Sequence, residues 1–336
     1  MKLSDFDYTL SADLVAQYPL GQRDQARMMV LDRSTGEITH DHFFNIGAHL
    51  PPRTLFIVNN SKVVPARLLG RMEASGREVE VFLLKALDGG RRYTALLRPL
   101  KKITYAERIV FGNSGLWAKL IDHKQRIVEF NQTNVAAYLK KIGHMPLPPY
   151  IRRSDEPSDR EDYQTVYAKP PGSVAAPTAG LHFTKSFLNA LRASGHELAP
   201  VTLHVGDGTF RPVQVDDITH HKMHVEEYTI APRTLGMIQK AKQERRKVLA
   251  VGTTSCRALE TFAQTGSRQG STDLFVYPGF SFTMTDMLLT NFHLPKSTLL
   301  MLVCAFASRD LVMRAYREAI KERYRFYSYG DCMLIK

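Results

Sequence analysis

Cysteine is scarce: the 336 residues contain three, Cys256, Cys304 and Cys332. An odd number without a C-x-x-C pair excludes a disulfide framework, offers no cysteine zinc site and suits a reducing compartment. Tryptophan occurs once, at Trp117. Long hydrophobic runs are missing too. The longest, Leu299 to Ala307, is nine residues, against the roughly 20 that span a bilayer. Met1 to Leu14 mixes acidic and polar residues and has no apolar signal-peptide core. A soluble, cytoplasmic chain is expected. Acidic residues are in deficit: 33 Asp and Glu face 45 Lys and Arg, a formal net charge of +12. That surplus favours polyanionic partners without naming one. Hydrophobic residues make up 44% and charged residues 23%, ordinary globular usage that excludes a disordered or fibrous chain. The length holds one large domain or two ordinary ones.

The charge is uneven. Residues 62–126 carry fourteen Lys and Arg against six Asp and Glu. In the same stretch the periodicity shifts towards two. Arg77 to Leu84, Arg92 to Leu97 and Arg126 to Phe130 read as strands, separated by Ser75-Gly76, Asp88-Gly89-Gly90 and Gly112-Asn113-Ser114-Gly115. Short strands at this spacing predict a small antiparallel, barrel-like sheet. Elsewhere strands alternate with helices. Thr54 to Val58, Ala199 to Val205 and Lys247 to Gly252 read as strands. Thr184 to Ala193, Leu235 to Arg245, Thr254 to Phe262 and Asp310 to Arg323 read as helices. The expected fold is α/β: a large α/β domain with a mostly parallel sheet, made of residues 1–62 and 150–336, interrupted by a basic β domain over 63–149. Pro146 to Tyr150 would mark the return crossing.

Six segments could carry chemistry; one of them, Leu289 to Thr298 ahead of the apolar run, reads as a polar cluster at the edge of a core. Val166 to Phe183 is rich in small residues and runs into the helix at Thr184. It suits either a ligand held near a helix N-terminus or a loop packed closely on a neighbour. Thr202 to Phe210 superficially resembles a nucleotide-binding glycine turn, but the third glycine of GxGxxG is missing. His220 to Glu227 has HxxH spacing, yet no pattern here matches a metal site, and no metal is expected. Val251 to Arg257 sits where a strand hands over to a helix, the edge where open α/β sheets bind ligands. Its hydroxyls could cap the helix, and Cys256 reads as a buried small residue rather than a nucleophile. Tyr324 to Asp331 is dense in aromatics beside Arg325, which suits either base stacking or packing on the last helix.

Taken in order, these segments resemble the S-adenosylmethionine:tRNA ribosyltransferase-isomerases of queuosine biosynthesis. The likeness runs from Asp5-Phe6-Asp7-Tyr8 and Gln17-Tyr18-Pro19 to Ser328-Tyr329-Gly330-Asp331. Between them lie Val63 to Arg67, Met145 to Ile151, Tyr163 to Tyr167, Val174 to Phe183, Thr202 to Gly206, Gly208 to Val213, His221 to Glu226, Val251 to Ser255 with Arg257, and Thr290 to Leu302. Three departures stand out. Asn59-Asn60-Ser61-Lys62 replaces a usual Asn-Asp-Thr-Arg or Asn-Asn-Thr-Arg, and Cys256 and Cys332 replace Val and Ala.

The resemblance implies an α/β domain interrupted by a small β-barrel. It implies that the ribosyl part of S-adenosylmethionine is transferred to 7-aminomethyl-7-deazaguanine at the tRNA wobble position and isomerised to epoxyqueuosine, releasing adenine and methionine. S-adenosylmethionine is then a co-substrate and no prosthetic group is expected. The partner is tRNA, no membrane is involved, and a monomer is the working expectation. Such chemistry needs a base for the attacking amine, a proton donor for departing adenine and a dry site. His182, His204 and His224 are the acid/base candidates because imidazole titrates near neutrality, with Glu226 or Asp331 as a further base. Thr178, Gly180, Gly206, Gly208, Thr209, Thr253, Thr254, Arg257, Asn291 and His293 are assigned to the co-substrate. Lys62, Arg67, Arg98, Lys101, Lys102 and Arg325 are assigned to tRNA phosphates. A methyltransferase using the same co-substrate and a non-catalytic RNA-binding protein are the competing readings.

Overall fold

The computed structural model describes residues 1–105, 107–210 and 213–336, with the side chains of Lys102, Thr209 and Phe210 not described. The chain divides into two compact units. One comprises Met1–Lys62, Pro148–Arg153 and Glu161–Lys336, the other Val63–Leu147 and Ser154–Arg160.

The larger unit is built on a nine-stranded sheet. Its order is Gln269–Thr272, Glu226–Ile230, Glu197–Leu203, Leu55–Asn59, Val248–Val251, Met287–Asn291, Cys332–Ile335, Arg27–Leu31 and Ile38–His42. The four central strands from Glu197–Leu203 to Met287–Asn291 are mutually parallel. Ile57 sits opposite both Ala199 and Ala250. The expected parallel sheet is therefore its centre. Pairings to Glu226–Ile230, Gln269–Thr272 and Ile38–His42 are antiparallel, and Cys332–Ile335 runs antiparallel to Met287–Asn291 but parallel to Arg27–Leu31.

Leu55–Asn59, Val248–Val251 and Met287–Asn291 are buried on both faces, which explains their largely apolar runs. Alternation then divides each strand between two cores. Leu55, Ile57, Val248, Ala250 and Leu288 pack with residues of the helices Pro232–Gln243, Thr253–Thr265, Thr298–Ala307 and Arg309–Lys321. Phe56, Val58, Leu249, Val251 and Leu289 pack with Leu188 and Leu191 of the helix Lys185–Ala193 and with Phe43 and Phe183. The nine-residue apolar run is the helix Thr298–Ala307, buried almost all round.

The smaller unit contains a closed antiparallel barrel of six strands. Around the barrel these are Ile127–Phe130, Arg92–Arg98, Glu78–Ala86, Arg67–Met72, Ile109–Val110 and Trp117–Asp122. Leu68, Val79, Val81, Leu97, Ala118, Leu120 and Val128 point inward and are buried, so period-two patterning supplies the interior. Sequence patterning located three of these strands. Arg67–Met72, Ile109–Val110 and Trp117–Asp122 were hidden by glycine interruption, brevity or mixed polarity.

Candidate functional site

Strand direction decides which residues meet. The carboxyl ends of the four parallel strands lie on one edge, where they deliver Asn59, His204, Gly252 and Asn291. Strands antiparallel to them begin there, which brings Glu226 to the same edge. This is the edge at which open α/β sheets bind ligands.

Two clefts open along it. The inner one is lined by Thr178, Thr253, Thr254, Asn291, His293 and Tyr327, among others. The outer one, about 470 Å³, is lined by Gly208, His220, His221, Met223 and His224. It falls within the range of about 300–1,000 Å³ usual for small-molecule sites. Glu226, Arg257 and Leu299 belong to both walls.

The shared wall is an ion pair. Glu226 and Arg257 are 6% and 5% exposed and their charged groups are in direct contact. Glu226 Oε1 also accepts the Gly206 N–H at 2.9 Å, and Arg257 Nε donates to the Leu274 carbonyl at 3.0 Å. Arg257 Nη2, by contrast, is buried and unpartnered among the described residues. A guanidinium fork with an open donor in a cleft wall suits a carboxylate.

Gly252 opens the helix Thr253–Thr265 at φ +85°, with no side-chain cap. The capping role expected of Thr253 or Thr254 is therefore absent, and both line the inner cleft. Thr254 Oγ1 instead accepts from Asn59 Nδ2 at 3.2 Å. Asn59, fully buried, also donates to the Leu203 carbonyl at 2.9 Å and accepts from Leu203 and Ser61 N–H, both at 3.1 Å. It locks two strand ends together beside the cleft.

The histidines divide by environment. Burial pushes His182 down to about 4 and His293 down to about 3, so both are neutral at physiological pH. His293 pairs with Thr290 Oγ1 at 2.7 Å in the inner cleft. His182 lies in a separate small pocket with Arg23, Asp162 and Gly330. His204 is lowered by burial, and its Nδ1 has no partner among the described residues. A Cβ on Gly172 would meet that nitrogen at 2.7 Å, so the ring lies flush on backbone. His224 is exposed in the outer cleft.

Several expected assignments change. Asp331 does not reach either cleft. It is 1% exposed and accepts the backbone N–H groups of Arg27 at 3.0 Å and Arg325 at 2.7 Å. Its position is that of a brace. Gly180 leaves room for Tyr167 rather than for a nucleoside, since a Cβ there would stand 2.2 Å from the Tyr167 hydroxyl. Gly208 makes room for His224, whose Cδ2 would be 2.4 Å from such a Cβ. The helix at Lys185 is capped by Thr184 Oγ1, which accepts the Phe187 N–H at 3.1 Å. The aromatic C-terminal segment is a packed turn: Tyr324 and Phe326 are fully buried, with Phe326 against Tyr316 of the last helix. Burial pushes the Cys256 thiol up, away from any nucleophilic role. The side chains of Thr209 and Lys102 lie outside the described residues.

Of the basic candidates, Lys62 is exposed at the end of the larger unit, and Arg325 Nη2 donates to the Tyr18 carbonyl. In the barrel, Arg67 is tied to Glu80 at 2.7 Å. Arg98 and Lys101 are exposed, with no ion pair among the described residues. Sequence reasoning passed over Tyr150, Tyr163, Phe292 and Tyr327, which line the inner cleft. Only the motifs containing them pointed there.

Comparison with known proteins adds an independent line. A family model described as queuosine biosynthesis protein matches residues 3–335. The chain is 48% identical over 337 residues to the S-adenosylmethionine:tRNA ribosyltransferase-isomerase of Sulfurihydrogenibium sp., and 49% identical over 341 residues to that of Carboxydothermus hydrogenoformans. Both alignments cover 100% of each chain. A solved structure described as S-adenosylmethionine tRNA ribosyltransferase from Thermotoga maritima is 37% identical. It covers 99% of this chain and 100% of that one, with a TM-score of 0.58.

Proposed function

The chain belongs to the queuosine biosynthesis protein family, and we propose that the two clefts at its sheet edge receive S-adenosylmethionine and the modified wobble base of tRNA. The activity is that of an S-adenosylmethionine:tRNA ribosyltransferase-isomerase. The ribosyl group moves to the aminomethyl nitrogen of 7-aminomethyl-7-deazaguanine and is isomerised to epoxyqueuosine, while adenine and methionine leave. S-adenosylmethionine is consumed and therefore acts as a co-substrate, the reaction needs no resident prosthetic group, and the enzyme works beside its tRNA in the cytoplasm.

The open Nη2 of Arg257 carries the reading. A buried guanidinium N–H left open on a cleft wall is costly until an acceptor completes it. The methionine carboxylate is the only anionic group of the co-substrate and supplies one. Glu226 fixes the guanidinium by occupying its other side. Thr178, Thr253 and Thr254 offer hydroxyls to the ribose.

Proton transfer falls to His224. Its imidazole stands at the outer cleft, and Gly208 allows backbone to press against the ring. From there it can take a proton from the attacking ammonium or give one to departing adenine. His182 and His293, held neutral by burial, accept or donate single hydrogen bonds instead. The basic barrel, through Arg98 and Lys101, makes phosphate contacts that position tRNA without reading its sequence.

Incubation with S-adenosylmethionine and tRNA bearing the aminomethyl base tests the whole reading. Free adenine should appear only with the modified tRNA. No adenine from folded protein, or S-adenosylhomocysteine in its place, would refute it.

A further inference from the structure

The inner cleft contains a second buried, unsatisfied polar atom of opposite kind. Asn291 closes the strand Met287–Asn291, is 1% exposed and lines the cleft. Its Nδ2 donates to the Tyr327 carbonyl at 3.0 Å and lies 3.5 Å from His182 Nε2. The first contact settles which way the amide faces. A carbonyl oxygen takes only a donor, so turning the amide over would set two oxygens against each other. The Tyr327 carbonyl is itself held firmly: it also accepts the Gly330 N–H at 3.0 Å, and Tyr327 adopts a left-handed φ of +70°. A non-glycine residue held in that region marks a backbone constrained by its surroundings. The neighbouring His182, neutral through burial, presents no competing positive charge to the amide. The amide's donor end is thus committed to protein, and Oδ1 is left buried with no partner among the described residues.

We infer that Asn291 selects for a hydrogen-bond donor on the bound co-substrate, its Oδ1 accepting one N–H or O–H of S-adenosylmethionine. The inference rests on the proposed use of this cleft and adds the polarity it reads. With Arg257 Nη2, the cleft offers one open donor and one open acceptor. A ligand bearing a carboxylate and, at another point, a hydroxyl or amino group satisfies both. Four groups of S-adenosylmethionine qualify as the donor: the adenine amino group, the 2′- and 3′-hydroxyls and the α-ammonium.

Calorimetric binding by the full-length chain separates them. The ligands are S-adenosylmethionine, its 6-oxopurine analogue, its 2′-deoxy and 3′-deoxy analogues, and the analogue lacking the α-amino group. The wild type should bind the analogue missing the read donor about tenfold or more weakly, since an acceptor is then buried unpaired. In Asn291→Ala that one penalty should shrink to under about threefold while the others persist. A merely structural role would weaken all five ligands by a common factor and leave every ratio unchanged, which overturns the inference. If Asn291→Ala and Asn291→Ser both fail to fold, the crystal structure of the wild-type complex decides. It should place a ligand N–H or O–H within hydrogen-bond reach of Oδ1, and ligand carbon or a water there refutes the assignment. Failure of the wild type to bind S-adenosylmethionine at all would sink the functional reading together with this inference. Equal ratios would sink the inference alone.

Discussion

Replacing Glu226 by Gln removes one charge from the wall between the two clefts and changes little else. The side chain keeps its length, and its amide oxygen can still accept the Gly206 N–H. What is lost is the partner of a guanidinium that is 5% exposed. Two unit charges about 4 Å apart interact by about 4 kcal/mol at an effective dielectric of about 20, and breaking a buried pair from one side costs about 3–5 kcal/mol. A loss of about 3 kcal/mol would take a large part of a total stability of about 5–15 kcal/mol. Urea unfolding at pH 7, followed by far-ultraviolet circular dichroism, measures it as a lower midpoint at unchanged slope. The double variant Glu226→Gln with Arg257→Met should recover most of the loss, because no stranded charge remains. Adenine release should collapse in both, since neither presents a correctly aimed guanidinium. A single-variant loss below about 1 kcal/mol, or a double variant as unstable as the two singles summed, would show that the pair is not the coupled wall described above.

Other expectations follow from the same geometry. Gly180→Ala should destabilise the larger unit by about 1–3 kcal/mol through overpacking, and Tyr167→Phe, which removes the hydroxyl at 2.2 Å, should relieve part of it in thermal melts. His182 and His293 titrate in the fold at about 4 and about 3, against 6.5 when free. Between those values the unfolded chain binds protons that the fold refuses, so stability falls as pH drops below 6.5. By pH 5 the loss is about 2 kcal/mol per histidine, and His293→Gln should flatten the dependence measured by urea unfolding at pH 7 and pH 5. Arg98→Glu with Lys101→Glu should raise the tRNA KM and lessen its salt dependence while leaving S-adenosylmethionine affinity unchanged; an unaltered tRNA KM would move recognition elsewhere.

The larger unit was the more legible. Its apolar strands and capped helices, such as Lys185–Ala193 with Thr184 at its N-cap, follow local rules that a sequence displays openly. The barrel was legible as a pattern but only in half its strands, because Ile109–Val110 is too short to show a period. At the site, Arg257 and Thr253 were singled out from their place where a strand hands over to a helix, and Asn291 through the family resemblance; all three line the inner cleft. Asp331 was misjudged because its partners, the backbone of Arg27 and Arg325, are a matter of tertiary position. The glycines at 180 and 208 were assigned to leave room for the nucleoside, but a sequence does not state what approaches. Here Tyr167 and His224 do.

The solitary indole has a practical consequence. Trp117 stands in the barrel strand Trp117–Asp122, with the Arg108 guanidinium 4.5 Å and the Lys119 ammonium 6.0 Å from its ring centre. Its fluorescence therefore belongs to the smaller unit alone, free of background from the sheet. If RNA docks on the barrel as proposed, phosphates reaching those two cations should shift the emission of this one indole, and a tRNA titration followed by tryptophan fluorescence, with no label added, reads it.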